Sequence, residues 1–209
     1  MSTIDDFEDN DISEYSGDTG QFSTQTGTVE SGTYALETTG SGYDTMFSTS
    51  GLDTYPQQGD TFEYYFRFGS AGSEGGMAFA YDGSGQEYYR IYVSDGQKFE
   101  INKWVAGSDS TIAGGASQLS SDNGTGEWFR AEVEWNDGDS DIVAHIYDST
   151  DTEVGGSPIT ASGETDYNHT GIGWEFDGSK MYFDSASLSA LRASMDVGTV
   201  TAASPEPTA

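Results

Sequence analysis

The sequence predicts an all-β protein, a two-sheet antiparallel jelly-roll sandwich with an extended C-terminal arm. Three observations carry that expectation. Apolar residues, many of them aromatic, recur at every second position in short runs, which is the period of a half-buried strand. Gly, Ser, Thr and Asp break these runs at short, even intervals, as turns do. Helical periodicity is almost absent.

The clearest strand is Thr61 to Phe68, where Phe62, Tyr64, Phe66 and Phe68 share one face. Met77 to Tyr81 follows a Gly-rich turn. Tyr88 to Val93 is closed by the hairpin signal Asp95-Gly96 and leads into Phe99 to Trp104. Ala106 to Gly126 is polar and Gly-rich and reads as a connection. Trp128 to Trp135 alternates again, with Phe129, Ala131, Val133 and Trp135 on one side and Arg130, Glu132 and Glu134 on the other. Asp137-Gly138 turns the chain into Asp141 to Asp148, and Gly171 to Phe176 and Lys180 to Leu188 complete the set. Beyond this the composition shifts to small residues ending Ser204-Pro205-Glu206-Pro207-Thr208-Ala209. The expected organisation is a sandwich over residues 1–189 and an arm over 190–209.

Thirty-six acidic residues face seven basic ones in 209, a formal net charge of −29. Self-repulsion on that scale works against a compact state unless the solvent screens it. At roughly 1 M salt the Debye length falls to about 3 Å, so the composition reads as adaptation to brine, and the expected setting is extracellular and salty. Phosphate binding needs clustered Lys and Arg, which excludes nucleic acid as a partner. Leu, Ile, Val and Phe together fall below the ~20% that usually accompanies folding at high net charge. Thirteen Tyr and four Trp make up the difference, and they sit in period, unlike the aromatics of disordered acidic tails. With no cysteine, disulfides, thiolate metal sites and cysteine nucleophiles are excluded. No run approaches the ~20 apolar residues of a membrane span, so membrane insertion is not expected. The start, Met1-Ser2-Thr3-Ile4-Asp5-Asp6, shows neither the basic nor the apolar region of a signal peptide. The expectation is therefore export by assembly and lysis, as for virion proteins, or a leader already removed.

Gly126-Glu127-Trp128-Phe129-Arg130-Ala131-Glu132-Val133-Glu134-Trp135, then Ile142 to Tyr147, Gly171-Ile172-Gly173-Trp174 and Tyr182-Phe183-Asp184-Ser185-Ala186-Ser187-Leu188 resemble successive strands of a concanavalin A-like (laminin-G-like) jelly roll. Asp5-Asp6-Phe7-Glu8-Asp9 with Ser31-Gly32-Thr33-Tyr34-Ala35-Leu36 is similar to the opening of that superfamily and of carbohydrate-binding modules. Similar openings occur in proteins of haloarchaea and their tailed viruses. The resemblance covers roughly residues 3 to 190 and rests on structural motifs.

Three constellations are candidates for chemistry. Glu132 and Glu134, two apart on one strand face beside Glu127, could serve as acid and base in glycoside hydrolysis. Jelly-roll glucanases carry Glu-x-Asp-x-x-Glu on the corresponding strand, and this strand is read as having neither the middle Asp nor a third acid, so no catalytic residue is assigned. Asp6, Glu8 and Asp184 occupy positions where, in similar sandwiches, acids of the first and closing strands meet; Ca²⁺ is the expected ligand, against a solvated acidic edge as the alternative. Tyr88, Arg90 and Tyr92 point outward if Tyr89, Ile91 and Val93 point inward, and Tyr65 with Arg67 can do likewise on a neighbouring strand. Such a face suits sugar rings and carboxylates. The alternative is cross-strand pairing of Arg67 and Arg90 with Glu63, Glu87 or Glu100. His145 and His169 each stand alone, without the pattern of a nucleophilic triad or a zinc site.

These features lead to a non-enzymatic structural or adhesion module, with a haloarchaeal virus spike, turret, fibre or decoration subunit as the leading form. The expected partners are other virion subunits, in a homo-oligomer, and a host surface glycan or glycoprotein. A secreted carbohydrate-binding module and a jelly-roll glycoside hydrolase are the rivals.

Overall fold

Alternating apolar residues can be dry on one side and wet on the other only if two sheets stack face to face, and the chain does this. The computed structural model describes residues 2–84, 87–136 and 138–189; the expected arm at 190–209 and Asp137 of the Asp137-Gly138 turn lie outside them. In chain order the strands are β1 (Ser2–Asp5), β2 (Ser16–Gly17), β3 (Phe22–Gln25), β4 (Ala35–Thr38), β5 (Asp44–Ser48), β6 (Thr61–Phe68), β7 (Ser73–Tyr81) and β8 (Glu87–Ser94). They continue with β9 (Phe99–Val105), β10 (Ser108–Gly115), β11 (Trp128–Trp135), β12 (Ile142–Tyr147), β13 (Ile159–Ala161), β14 (Gly171–Gly178) and β15 (Met181–Leu188). One sheet runs β13-β12-β11-β6-β15-β4-β3 with β1 beside β15, and the other runs β10-β9-β8-β7-β14-β5-β2. We call these the first and second sheets. All pairings between strands are antiparallel, so the architecture is the expected jelly-roll sandwich.

The aromatic faces read from the sequence line the interior. Phe62, Tyr64, Phe66 and Phe68 from β6 are fully buried, as are Tyr89, Ile91 and Val93 from β8 and Trp174 and Phe176 from β14. Phe7 and Phe183 are also core. The Trp174 ring packs against Phe183, Tyr64 and Phe7, with centroids 4.9, 5.6 and 5.8 Å away, and so ties both sheets to the N-terminal segment. Its indole N–H donates to the Tyr15 hydroxyl (3.1 Å), which donates to Asp5 Oδ2 (2.6 Å). A polar chain thereby satisfies three groups that the core would otherwise strand.

Two expectations are corrected. The stretch from Ala106 to Gly126 contains an edge strand, β10, paired to β9; Gly and Ser hid it because they carry little β signal. The second correction sets the site. β6 and β7 are consecutive in sequence but lie in different sheets, because the Gly-rich turn between them crosses from one layer to the other. Tyr65 and Arg67 on β6 therefore share no face with Tyr88, Arg90 and Tyr92 on β8.

Candidate functional site

On the outer face of the first sheet, side chains of β6, β11 and β12 form the floor of an open groove of about 1030 Å³, at the upper end of ligand-pocket sizes. Register builds it in rows. Arg130 lies between Tyr65 on β6 and Tyr147 on β12, and Glu132 lies between Glu63 and His145. Trp128, opposite Arg67, lines one end, and Glu134 and Asn136 line the other. Three rings, Tyr65, Trp128 and Tyr147, thus face one groove with a set of hydrogen-bonding groups.

Arg130 organises the middle. Its guanidinium reaches Glu63 Oε2 and Glu132 Oε2, both at 3.0 Å, and Asp151 Oδ1 at 2.6 Å. Its Cζ sits 4.1 Å from the Tyr147 ring centroid, a cation–π contact. Burial works against this charge, but the contacts with Asp151 and Glu132 more than offset it and hold Arg130 above the ordinary arginine range. His145 bonds through Nδ1 to Glu153 Oε1 (2.7 Å) and stacks on Tyr147 with ring planes 13° apart. It faces outward from β12 and sits inside a network of side chains. The Tyr65 and Tyr147 phenols are raised, by burial first and then by neighbouring carboxylates, so both hydroxyls remain donors at neutral pH.

The second sheet corrects the other half of the expected ligand face. Tyr88, Arg90 and Tyr92 do point away from the main core, yet they are only 2, 4 and 6% exposed. Small residues in the sheet leave room for a second aromatic layer: a Cβ on Gly173 would lie 2.3 Å from the Phe47 ring, so Phe47 rests on that glycine. Phe47 stacks on Tyr81 (4.1 Å), and Tyr88 and Tyr43 both stack on Trp104 (5.6 and 6.0 Å). Glu175, fully buried on β14, closes the layer. It accepts bonds from Tyr88 Oη (2.6 Å), Tyr43 Oη (3.1 Å) and Arg90 NH1 (2.9 Å). Arg90 also holds Asp109 at 2.6 Å and lies 4.2 Å from the Tyr92 ring centroid. Its partners are thus Glu175 and Asp109, in place of the Glu63, Glu87 or Glu100 considered from sequence. Arg67 has no ion pair among the described residues.

The acids expected to hold Ca²⁺ do not share a centre. β1 does pair with β15, but Glu8 Oε1 accepts the Thr33 and Tyr34 amides (2.7 and 2.9 Å), which hold its carboxyl below the ordinary range. Asp184, turned by a bulge in β15, accepts the Glu30 and Ser31 amides (2.8 and 3.3 Å). Asp6 is exposed and, among the described residues, accepts a bond from the Glu8 amide alone. Among the described residues no three acids or histidines converge as a metal site, so these residues do not fit the ion. What Glu8 and Asp184 do is pin the 30–34 segment from both ends.

Burial raises Asp184 to about 6 and the neighbouring Asp5 to about 7. Both hold a proton to higher pH in the fold than in the unfolded chain, so ionising them costs the folded state. Stability should therefore rise as pH falls from about 8 to about 5. Asp5→Asn keeps an acceptor for the Phe7 amide (2.8 Å) and should flatten part of that slope. Thermal midpoints across the range check this; an unchanged slope in the variant refutes the assignment to Asp5.

One acid escaped the sequence reading. Asp137 stands three positions beyond Glu134, so the sequence, though not β11 itself, carries acids at the glucanase spacing with Glu and Asp exchanged. It lies outside the described residues.

No protein-family model and no curated protein matches this chain in sequence. In fold it is similar to the carbohydrate-binding module CBM66 from Bacillus subtilis, with a TM-score of 0.60 and 14% identity over 86% of this chain and 98% of that one. A β-glucanase of Bacillus licheniformis is similar at 0.51 and 9% identity, over 91% and 99% of the two chains. At such identities the likeness shows the concanavalin A-like jelly-roll fold.

Proposed function

We propose that this chain is a non-catalytic glycan-binding module that works in concentrated salt, and that the groove on the first sheet is its binding face. The observation that carries this is the convergence of Tyr65, Trp128 and Tyr147 with Glu63, Arg130, Glu132 and His145 in one open groove. Sugar rings offer flat C–H faces and a rim of hydroxyls, and a groove with ring faces and fixed donors and acceptors matches both. The fold it shares with a carbohydrate-binding module supports the reading. Trp128→Ala should weaken binding of the best ligand from a polysaccharide panel about thirtyfold, the scale of losing an aromatic hot-spot contact. Trp104→Ala, on the opposite sheet, should leave it within a factor of two or so. Titration calorimetry in salt decides, and equal effects would contradict the assignment.

Such a module belongs on a virus particle or on a secreted enzyme, and gene neighbourhood distinguishes them. Capsid, portal and tail genes alongside would place it on a virion; a fused catalytic domain would place it on an enzyme.

A second reading, glycoside hydrolysis, draws on Glu132 and Glu134 facing the groove and on Asp137 at the glucanase spacing. Against it, Arg130 sits between Glu63 and Glu132 and engages both, where a hydrolase needs two free carboxyls flanking the scissile bond. Polysaccharide hydrolysis that Glu132→Gln abolishes would establish it in place of the binding reading.

A further inference from the structure

We infer that the groove's ligand is an acidic glycan, and that Arg67 receives its carboxylate or sulfate group. The inference rests on the glycan-binding reading and narrows it. Its starting point is an imbalance of partners. Among the described cations, Arg90, Lys98, Lys103, Arg130 and Lys180 each hold at least one carboxylate. Arg67 holds none, and its Nε is screened from solvent without a hydrogen-bond partner. In a chain with 36 acids, a guanidinium left without a carboxylate stands out as the group with donors to spare, and a guanidinium matches the two oxygens of a planar anion.

Its position says where the anion goes. Arg67 follows Tyr65 by two on β6, so both side chains stand on the groove face. Its cross-strand neighbours are Trp128 on one side and Tyr182 on the other. Lys180 lies beyond, 5.8 Å from the Tyr182 ring centroid, with its ammonium already held by Glu37 at 2.8 Å. Within the groove Arg130 already engages Glu63, Glu132 and Asp151. Arg67 thus sits beside the Trp128 end of the groove as a cation with donors open to an acidic substituent. The chain's overall negative charge would repel an acidic polymer in dilute buffer, but screening at high salt removes the long-range repulsion while a direct charge-assisted bond survives.

Paired ligands test this in about 2 M KCl: polygalacturonate against its methyl ester for the carboxylate, and dextran sulfate against dextran for the sulfate. The acid form of at least one pair should bind roughly tenfold or more tighter than its neutral counterpart. Arg67→Gln should bring the acid and neutral forms of the pair to within about a factor of two of each other, and Arg67→Lys should retain part of the preference. Unchanged thermal midpoints confirm that both variants fold. Equal binding of acid and neutral forms, or a preference that survives in Arg67→Gln, overturns the inference and leaves the glycan reading standing. Binding of no polysaccharide on the panel overturns both.

Discussion

Glu175→Ala should destabilise the protein by about 3–5 kcal/mol, the cost of leaving a buried charge without its partner. The carboxylate is fully buried and serves three donors from two different segments: the loop before β5 through Tyr43, and β8 through Tyr88 and Arg90. Its removal leaves Arg90 with Asp109, whose side chain is 44% exposed, so the remaining attraction is partly screened. At this chain length 1 kcal/mol corresponds to roughly 2–4 °C, and a drop in Tm of about 10 °C is the expected reading. Lys98→Ala removes a partly exposed pair with Glu74 and should cost no more than about 1 kcal/mol. If the two variants unfold together, the second aromatic layer is not held by its buried charge.

Dilution of salt should have the other large effect. At 0.1 M the Debye length is about 10 Å, against about 3 Å at 1 M, so lowering the salt lets the net charge of −29 act across the whole surface. The thermal midpoint should fall by roughly 10 °C or more between about 2 M and 0.1 M KCl. Acidification to about pH 5 should recover part of the loss, because Asp5 and Asp184 take up protons there. A midpoint independent of KCl would show that the acidic coat is not a salt adaptation.

The strands were legible wherever one face is apolar and the other polar. β6 and β11 have the bounds their alternation predicts, because each is dry on the core side and wet in the groove. β10 was illegible, since an edge strand of Ser, Gly and Thr makes no demand on burial. The site was half legible. Alternation correctly put Tyr65, Arg67, Arg130, Glu132 and Glu134 on the outer side of their strands. It could not say which sheet each strand joins, and that single unknown separated Arg67 from Arg90. Nor does alternation register a second layer: Tyr88, Arg90 and Tyr92 have the period of solvent-facing residues, and only Glu175, Trp104 and Phe47, brought from other strands, show why they are covered. Asp6, Glu8 and Asp184 carried the composition of a cation site without its geometry, because backbone amides reached Glu8 and Asp184 first.

The four indole N–H groups offer the most direct measurement. Trp128 faces the groove, Trp104 belongs to the opposite sheet's layer, and Trp135 and Trp174 are fully buried. In a nitrogen–proton correlation spectrum recorded in salt, titration with a bound oligosaccharide should move the Trp128 indole resonance and leave that of Trp104 in place. Movement of Trp104 with Trp128 unmoved would put the binding face on the other sheet and contradict the account.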